Sequence, residues 1–461
     1  MLAERLAEYA KSLRYANLPA DVVHEVKRRL VDSMACAYGA ITAPPCRIAR
    51  GLALRVSLKD GATVWGTRHR TTPELAAFAN GSLVRYLDFN DTYLSKEPAH
   101  PSDNIPACLA IAESLQANGR QLIQAIVLAY EIQCRLCDAA ALRPRGWDHV
   151  TYGAFSTSIA AAKLLNLSKG KIIHAINLAG ITAGALRQTR VGEVSFWKAC
   201  AFANSSRNGI FASYAAREGM TGPAAMFEGE KGFMKILSGS LTLPEFGGEN
   251  GTSYKILDTY IKPRPLEYHA QSAVEAAFEV RQQIRSAYGA FYLDQIEDIE
   301  VGSFDVAIEI IGRDPEKWHP KTRETADHSL PFCVALALTD GKITPQSFSR
   351  KRFEDQAMLA LMQTVKIKEV KSFTEQYPCA MPTKIVVRMR GGKKFTAQVD
   401  HPSGHPRRPL SDHDLEVKFH LLADRKIGER EVTRFMQRIW ELERLNDVKM
   451  FVAAMPVLAK G

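Results

Sequence analysis

The chain lacks several features that would assign it to familiar classes of protein. In its 461 residues, no apolar run reaches the length of a membrane span. The first 30 residues alternate charged with apolar side chains, without the apolar core of a secretory leader. There is no glycine-rich phosphate-binding loop, tandem repeat or low-complexity tract. We therefore expect a globular protein of two or more domains in the cytoplasm, with no membrane partner.

Cysteine is sparse and scattered. Most of the eight cysteines lie in apolar helical contexts, and only Cys134 and Cys137 form a CxxC pair. Without a second pair at ligand spacing, this motif does not predict a zinc or iron–sulfur site. We expect buried free thiols in a reducing compartment and no metal site.

The net charge of +10 is not arranged as a nucleic-acid-binding surface. Such a surface would show basic residues in a stripe with interleaved aromatics, whereas these lysines and arginines are spread along the chain. We predict no nucleic-acid partner. Four basic residues instead lie in apolar or Gly/Pro-rich contexts that suit an anionic small molecule. They are Arg187, Arg190, Lys198 and Lys262.

The pattern of apolar residues predicts a mainly α fold. Helical periodicity dominates residues 1–262 and returns in residues 405–461, where Ser411 is a plausible N-cap. Between them, the period-2 stretches IEDIEVGSFDVAIEII and TVKIKEV predict strands, and KIVVRMRGGKKFTAQV predicts a hairpin. We expect an all-helical domain formed from both chain termini, with a smaller α+β lid domain inserted at residues 263–404.

Ionisable side chains are concentrated in the segment LDFNDTYLSKEPAHPSDN. It places Asp88, Asp91, Thr92 and His100 between two apolar helical stretches. Loops that carry such groups between rigid elements are common places for chemistry. A carboxylate beside an imidazole can also move protons on a substrate near neutral pH. The alternative interpretation is that the aspartates cap neighbouring helices and His100 is a turn residue.

Further candidates follow in the helical region. His149 precedes a small-residue helix whose N-terminus would favour an anion, although its neighbours are also suited to simple capping. Lys198 begins an Ala-rich helix, where a buried ammonium needs a partner. That partner is either a substrate carboxylate or, if the side chain reaches the surface, water. Arg187 and Gln188 are placed to bind a carboxylate together in the same region.

The expected domain junction carries its own basic and imidazole groups. Lys262 and His269 lie in the segment IKPRPLEYHAQS. Clefts between domains are common ligand sites, while a basic linker without a ligand is the alternative interpretation.

Several motifs, in this order, resemble the MmgE/PrpD family over essentially the whole chain. They are LDFNDT followed by HPSD, GWDH…AAAKLL, LRQTRVGE…WKACA, REGMTGP, TADHSLPF…LTDG and LSDHDLEVKF. The family contains 2-methylcitrate dehydratases, cis-aconitate decarboxylases and a few epimerases or isomerases of related acids. Each motif alone is weak evidence, and their shared order makes the resemblance specific.

The resemblance implies a helical domain with an inserted lid, a site between them, a homodimer, and no metal, iron–sulfur cluster or other cofactor. The catalytic set, by position in the motifs, is Asp88, His100, His149, Lys198 and Lys262. The substrate-binding set is Thr92, Arg187, Gln188 and, by a looser match, His269. Two departures are visible: the gap YLSKEPA is longer than in the decarboxylases, and Phe332 stands where a tyrosine that could touch substrate is common.

The residues of the GWDH and LRQTRVGE…WKACA motifs resemble the bacterial-type 2-methylcitrate dehydratases of propionate catabolism more than the animal-type decarboxylases. That resemblance implies a hydro-lyase that removes a proton α to a carboxylate of a tricarboxylate and expels the β-hydroxyl. Cations would hold the enolate charge, and His100, oriented by Asp88, would protonate the leaving hydroxide. The alternatives are a cis-aconitate decarboxylase, a dicarboxylate epimerase with the same pocket, and a catalytically silent acid-binding protein.

Overall fold

The computed structural model describes residues 1–291 and 293–458 and consists mainly of α-helices. The helices are α1 (Leu2–Ser12), α2 (Ala20–Ala40), α3 (Pro44–Ala53), α4 (Pro73–Tyr86), α5 (Ile105–Ser114), α6 (Gly119–Ala139), α7 (Thr151–Leu164), α8 (Lys169–Ile181), α9 (Trp197–Arg217), α10 (Gln271–Tyr288), α11 (Asp305–Ile311), α12 (Pro315–Trp318), α13 (Arg323–Ala326), α14 (Leu330–Asp340), α15 (Arg350–Phe353), α16 (Gln356–Gln363), α17 (Lys371–Thr374), α18 (Asp412–Ile427), α19 (Glu429–Trp440) and α20 (Val448–Ala453). The strands are β1 (Ala62–Thr63), β2 (Arg70–Thr71), β3 (Ile296–Ser303), β4 (Val365–Glu369), β5 (Thr383–Met389) and β6 (Lys394–Val399).

Both ends of the chain contribute to one helical core. Buried apolar side chains from α1 to Ile261 form a continuous cluster with those of α18, α19 and α20. At its centre, the buried Lys418 ammonium donates to the Asp32 carboxylate at 2.5 Å and to the carbonyls of Phe89 and Lys262. One cation therefore links α2, the segment after α4 and the point where the chain leaves the helical core.

The helix limits follow from local capping chemistry. As predicted, α18 begins after Ser411, whose Oγ accepts the backbone N–H of Asp414 at 3.1 Å. The Asp414 carboxylate accepts the Ser411 N–H in return, at 2.8 Å. Asn118 and Gln121 form the same reciprocal arrangement at the start of α6. Such boxes satisfy N–H groups that have no partner within the helix.

The second core is smaller and mixed. Its sheet has the order β4-β3-β5-β6, in which β3 pairs parallel to β4 and antiparallel to β5. Helices α10 and α14 supply buried apolar side chains to the same cluster as the sheet. The predicted hairpin is confirmed as β5 and β6, with Gly392 at φ 80° in its turn. For IEDIEVGSFDVAIEII, the strand prediction is right only for the first half, because residues after Phe304 form α11. This helix buries Ala307 and Ile311, which are four residues apart. The many β-branched residues favoured a strand and made this helical spacing easy to miss.

The chain crosses between the two cores at two adjacent places. The Ile261 N–H donates to the carbonyl of Gly404 at 3.1 Å, so the outgoing and returning segments are paired. Glu275 at the start of α10 accepts hydrogen bonds from the Ser403 N–H at 3.0 Å and from Arg408 at 2.6 Å. The mainly α fold with a small α+β part is confirmed, while the domain limits at residues 262 and 404 stay predictions.

Two expectations from the sequence concern membrane-spanning helices and the CxxC pair. No helix among the described residues is both long and apolar enough to cross a membrane. Cys134 and Cys137 lie inside α6, fully buried, and burial raises the pKa of both thiols well above the ordinary range. They are therefore neutral apolar side chains of the helical core.

Candidate functional site

A cavity of about 530 Å³ lies where the helical core meets the α+β part. Predicted site residues that line it from the helical side are Asp88, Thr92, His100, His149 and Arg187. From the other side it is lined by the predicted His269 and by Glu267 and His328. Residues far apart in the sequence thus face one cleft, as is common for small-molecule sites.

Asp88 is held in an unusual conformation at the end of α4. Its φ of 51° lies in the left-handed region, which an aspartate tolerates better than most residues. The carboxylate is buried and bound by Arg85 Nη1 at 2.8 Å, Lys262 Nζ at 2.5 Å and Lys198 Nζ at 2.9 Å. Lys262 also donates to the Asp88 carbonyl at 3.0 Å, which secures the backbone conformation.

These cations fix the charge of Asp88. Burial alone would raise the pKa of the carboxyl, but Arg85, Lys198 and Lys262 outweigh it and hold the pKa well below its ordinary value. Burial lowers the pKa of Lys262, and Asp88 opposes that effect. Asp88 is therefore a permanent carboxylate in a cationic setting.

Lys198 has carboxylates of the protein as its partners, rather than water or an open position for a substrate carboxylate. The Lys198 side chain is 5 % exposed, and its ammonium lies 2.9 Å from Asp88 and 3.5 Å from Asp327. Lys262 is fully buried in the same way. Both lysines neutralise carboxylates of the protein, because an ammonium buried at these positions needs an internal counter-ion.

The predicted orientation of His100 by Asp88 is also wrong, because Arg85 lies between them. Arg85 Nη2 donates to His100 Nε2 at 2.9 Å. The opposite ring nitrogen, Nδ1, lies 2.7 Å from the carbonyl of Asp91 and 3.1 Å from Thr92 Oγ1. Burial first and then Arg85 lower the pKa of His100 well below its ordinary value. His100 is thus a neutral ring with both nitrogens engaged.

His149 lies just before α7, beside His100, with the two ring centroids 5.7 Å apart. Its Nε2 is 3.5 Å from Asp148, whose carboxylate is bound by Arg190 Nε at 2.8 Å. Its Nδ1 is buried and has no hydrogen-bond partner among the described residues. Burial and then Arg190 lower the pKa of His149 well below its ordinary value. His149 is therefore a neutral ring that lines the cavity and has one buried nitrogen without a partner among the described residues.

His328 and Asp327 form a carboxylate–histidine pair that the predicted set did not include. His328 Nδ1 lies 2.6 Å from Asp327 Oδ1, and Nε2 lies 3.3 Å from Asp88 Oδ2. Burial and then Lys198 lower the pKa of His328 to about 4. Burial would raise the pKa of Asp327, but Lys198 and His328 lower it. The pair is a neutral imidazole held by a carboxylate.

His269 belongs to a second pair of this kind. Its Nδ1 lies 2.8 Å from Glu267 Oε1, and its Nε2 lies 3.2 Å from the Tyr377 hydroxyl. The Glu267 N–H donates to the Asp327 carbonyl at 2.9 Å, which joins the two pairs through the backbone. Although burial opposes it, His269 lowers the pKa of Glu267 to about 2.

Arginines supply most of the positive charge that faces the cavity. The cationic side chains that line it are Arg85, Arg143, Arg187, Arg190, Arg313 and Lys317. Arg187 therefore lies where the sequence placed a carboxylate-binding group. Its predicted companion Gln188 does not face this cavity; it lines a separate hollow with Trp197, because the short 3₁₀ turn at Arg187–Arg190 directs the two side chains to different sides.

Phe332 has a different environment from the one expected. It is fully buried in the core of the α+β part, on α14, with its ring 6.2 Å from that of Phe348. It is not among the side chains that line the cavity. A tyrosine hydroxyl here would therefore not reach the cavity in this arrangement.

Sequence reasoning missed Arg85, Asp327 and His328. Arg85 was not distinguished from the other lysines and arginines spread along the chain, although it precedes Asp88 by three residues, which places both on one side of the helix end. Asp327 and His328 stood within the motif TADHSLPF, whose adjacent acid and imidazole were a usable signal. Only the fold shows that this motif lies against Asp88.

One group of donors has a spacing that would suit a cation. Ligand atoms of Asp88, Asp327 and His328 lie within 4.8 Å of one another. The Lys198 ammonium lies among them, 2.9 Å from Asp88 and 3.5 Å from Asp327. A protein ammonium thus already neutralises these carboxylates.

Comparison with known families identifies both parts of the chain. Residues 4–244 match the family model of the MmgE/PrpD N-terminal domain, and residues 265–442 match that of the MmgE/PrpD C-terminal domain. The second match spans both the α+β part and helices α18 and α19, which pack on the helical core.

Curated relatives match over nearly the whole chain. The 2-methylcitrate dehydratase of Salmonella typhimurium is 27% identical over 91% of this chain and 89% of its own length. That of Cupriavidus necator is 28% identical over 93% of this chain and 90% of its own length. The human cis-aconitate decarboxylase is 27% identical over 97% of this chain and 92% of its own length.

Proposed function

Since this chain belongs to the MmgE/PrpD family, we propose that it is a hydro-lyase that dehydrates 2-methylcitrate to 2-methyl-cis-aconitate. The observation that carries this proposal is a cavity that combines many cations with neutral histidines. Arg143, Arg187 and Arg190 line it beside His149 and His328. The arginines can bind the carboxylates of a tricarboxylate, and the neutral histidines can transfer protons.

The chemistry makes two demands on such a site. The proton α to a carboxylate is weakly acidic, so fixed positive charge must stabilise the enolate as it forms. The cavity-lining arginines supply that charge and bind planar carboxylates through paired donors. Lys198 and Lys262 contribute indirectly in this proposal, because they bind Asp88 and neutralise a carboxylate that would otherwise repel the substrate.

We also propose that the reaction needs no metal. Among the described residues, the donors with suitable spacing are Asp88, Asp327 and His328, and Lys198 lies among them. A divalent ion would have to displace that ammonium and meet the positive charge of Arg85 and Lys262. Activity should therefore survive prolonged chelation followed by desalting. Loss of activity that iron or zinc restores would contradict this part of the proposal.

The decisive experiment is a panel of citrate-like acids followed by proton and carbon NMR. Dehydration of 2-methylcitrate, with the appearance of the double bond, is the expected outcome. Loss of CO₂ from cis-aconitate would instead identify a decarboxylase, the activity for which the human relative is named. Exchange of the α-hydrogen without net elimination would identify an epimerase. Binding without any turnover would identify a catalytically silent acid-binding protein.

We further propose that the protein is a homodimer that uses the surface between α8 and α9. Exposed apolar side chains there include Ile181, Leu186, Phe196 and Trp197. Leu186 and Trp197 line a hollow whose other lining residues carry no charge. A two-fold interface places the same surface against itself, so freedom from like charge favours a second copy of this chain as the occupant. Light scattering should show a dimer, and Trp197→Glu should shift it to the monomer.

A further inference from the structure

We propose that His328, held by Asp327, is the base that removes the α-proton in the dehydration. This assignment rests on the proposed function, and it replaces the Asp88–His100 pair that the sequence suggested. Three observations carry it: the state of the two ring nitrogens of His328, the engagement of the competing histidines, and the charges around the pair.

The ring of His328 has a defined tautomer. Nδ1 lies 2.6 Å from the Asp327 carboxylate and 3.3 Å from the Lys198 ammonium. The contact with the carboxylate is the shorter one, and two acceptors at that distance would repel each other, so we assign the proton to Nδ1, which donates it to Asp327. The lone pair is therefore on Nε2. That nitrogen lies 3.3 Å from Asp88 Oδ2, in the wall of the cavity, and the side chain is 14 % exposed. Asp88 Oδ2 has no hydrogen-bond partner among the described residues, so the contact with Nε2 is not a hydrogen bond and Nε2 can accept a proton from a bound substrate.

The backbone secures this orientation. The Asp327 carbonyl accepts the Glu267 N–H at 2.9 Å. The Asp327 side chain is also approached by Lys198 at 3.5 Å and by Arg323 at 3.5 Å. Asp327 thus acts as a positioning residue for the ring, because its own place is fixed from several directions.

The other histidines of the cavity are less suited to the task. Nε2 of His100 accepts from Arg85 at 2.9 Å, and its Nδ1 faces the Asp91 carbonyl at 2.7 Å. No lone pair remains there for a substrate. His149 has a buried Nδ1 without a partner among the described residues, but the carboxylate nearest its other nitrogen, Asp148, is 3.5 Å away and is bound more closely by Arg190. His149 is the competing candidate, and the test includes it.

The proposed step balances within the site. The α C–H bond breaks, its proton forms an N–H bond with His328 Nε2, and its electron pair becomes the enolate of the adjacent carboxylate. In the second step the electron pair forms the C=C bond, and the C–O bond breaks. The imidazolium returns a proton to the departing oxygen, so that water leaves and His328 is neutral again.

Charge explains how a weakly basic ring performs this step. Burial and Lys198 keep His328 neutral in the free protein, with a pKa of about 4. A bound tricarboxylate adds negative charge beside the ring, and opposite charge raises the pKa of a base. The basicity needed for proton removal therefore appears only when the substrate is in place.

The test compares wild type with His328→Asn, His149→Asn and a matched control. His319 is an exposed histidine on the same α+β part, so His319→Asn controls for the loss of an imidazole. His328→Gln is measured in parallel in case the asparagine variant does not fold. We measure kcat and KM for 2-methylcitrate and deuterium uptake at the α-carbon when 2-methyl-cis-aconitate is hydrated in D₂O.

In folded His328 variants we expect kcat to fall by about 10²-fold or more, α-deuteration to be lost and KM to change little. His319→Asn should be unchanged. Asp327→Asn should shift the acid limb of kcat to lower pH, because Asp327 raises the pKa of His328; a purely structural role would not move that limb. Folded His328 variants that keep more than a tenth of wild-type kcat would overturn the assignment of His328 as the base, but not the proposed function. A loss of activity confined to His149→Asn would do the same. Absence of turnover by wild type across the whole acid panel would overturn the proposed function, and this assignment with it.

Discussion

Arg85 Nη2 donates a hydrogen bond of 2.9 Å to Nε2 of His100. The same guanidinium binds the Asp88 carboxylate through Nη1 at 2.8 Å. The two residues that appear in the sequence as an acid–base pair are therefore separated by a cation, which keeps one ionised and the other neutral. In the proposed mechanism the proton is therefore removed by His328, on the opposite side of the cavity.

Replacement of Arg85 tests this separation. We expect Arg85→Gln to raise the pKa of His100, because the guanidinium charge that opposes its protonation is removed. The His100 ring resonances, titrated by NMR, should shift their midpoint to higher pH, and kcat should fall by about 10²-fold as Asp88 loses one of its cations. Arg350→Gln, at an exposed arginine paired with Glu354, is the control. An unchanged His100 titration would show that the hydrogen bond has no electrostatic consequence.

Lys198 gives a second prediction, in which the sequence and the structure disagree. An unpaired cation would allow Lys198→Met to leave stability unchanged or higher. Because Lys198 instead neutralises Asp88 and Asp327, the substitution leaves buried carboxylates short of positive charge. We expect the free energy of unfolding to fall by about 3–5 kcal/mol. Urea denaturation measures this change, with Lys231→Met at an exposed lysine as the control. An unchanged or higher stability would show that Lys198 is not needed to neutralise these carboxylates.

Asp103 provides a prediction about pH. Burial raises the pKa of this carboxyl to about 7, against an ordinary value of 3.8. A carboxyl whose pKa is raised on folding stabilises the fold below its unfolded pKa, and that contribution is lost as the pH rises from about 4 to about 7. Asp103→Asn cannot ionise and loses nothing in this window. Its stability relative to wild type should therefore increase with pH, by up to about 1.4 kcal/mol per pH unit.

Urea unfolding at pH 5 and pH 8 checks the Asp103 prediction. Asp60→Asn, at an exposed aspartate in a turn, serves as the control and should show no such trend. A stability difference between Asp103→Asn and wild type that is the same at both pH values would mean that the buried carboxyl does not titrate in this window.

Two glycines with the same backbone angle give a matched pair of variants. Gly404 and Gly428 both have φ 86°, so alanine is strained at either position. A Cβ on Gly404 would lie 1.8 Å from the Ile261 carbonyl oxygen, whereas a Cβ on Gly428 meets nothing within 4 Å. Gly404→Ala should therefore destabilise the protein more than Gly428→Ala, since it separates the paired crossings between the two cores. Equal losses of unfolding free energy would show that only the strained angle matters.

The sequence alone determined the class of fold. Helical periodicity, the capping pair at Ser411 and the Gly391–Gly392 hairpin are local patterns, and each appears where it was predicted. Motif order over the whole chain likewise identified the family. These features depend on interactions between residues close together in the chain or on the order of segments, and both can be read from the sequence without the tertiary structure.

Only the tertiary structure decided how the site residues are paired. Lys198 and Lys262 bind Asp88 from positions 110 and 174 residues away along the chain. His328, 240 residues from Asp88, approaches the same carboxylate. Ion pairs and hydrogen bonds act over a few ångströms. Spacing along the sequence could therefore identify these residues as candidates, but it could not predict which of them are in contact. The direction of each pKa, and with it the choice between His100 and His328 as the base, depends on that packing.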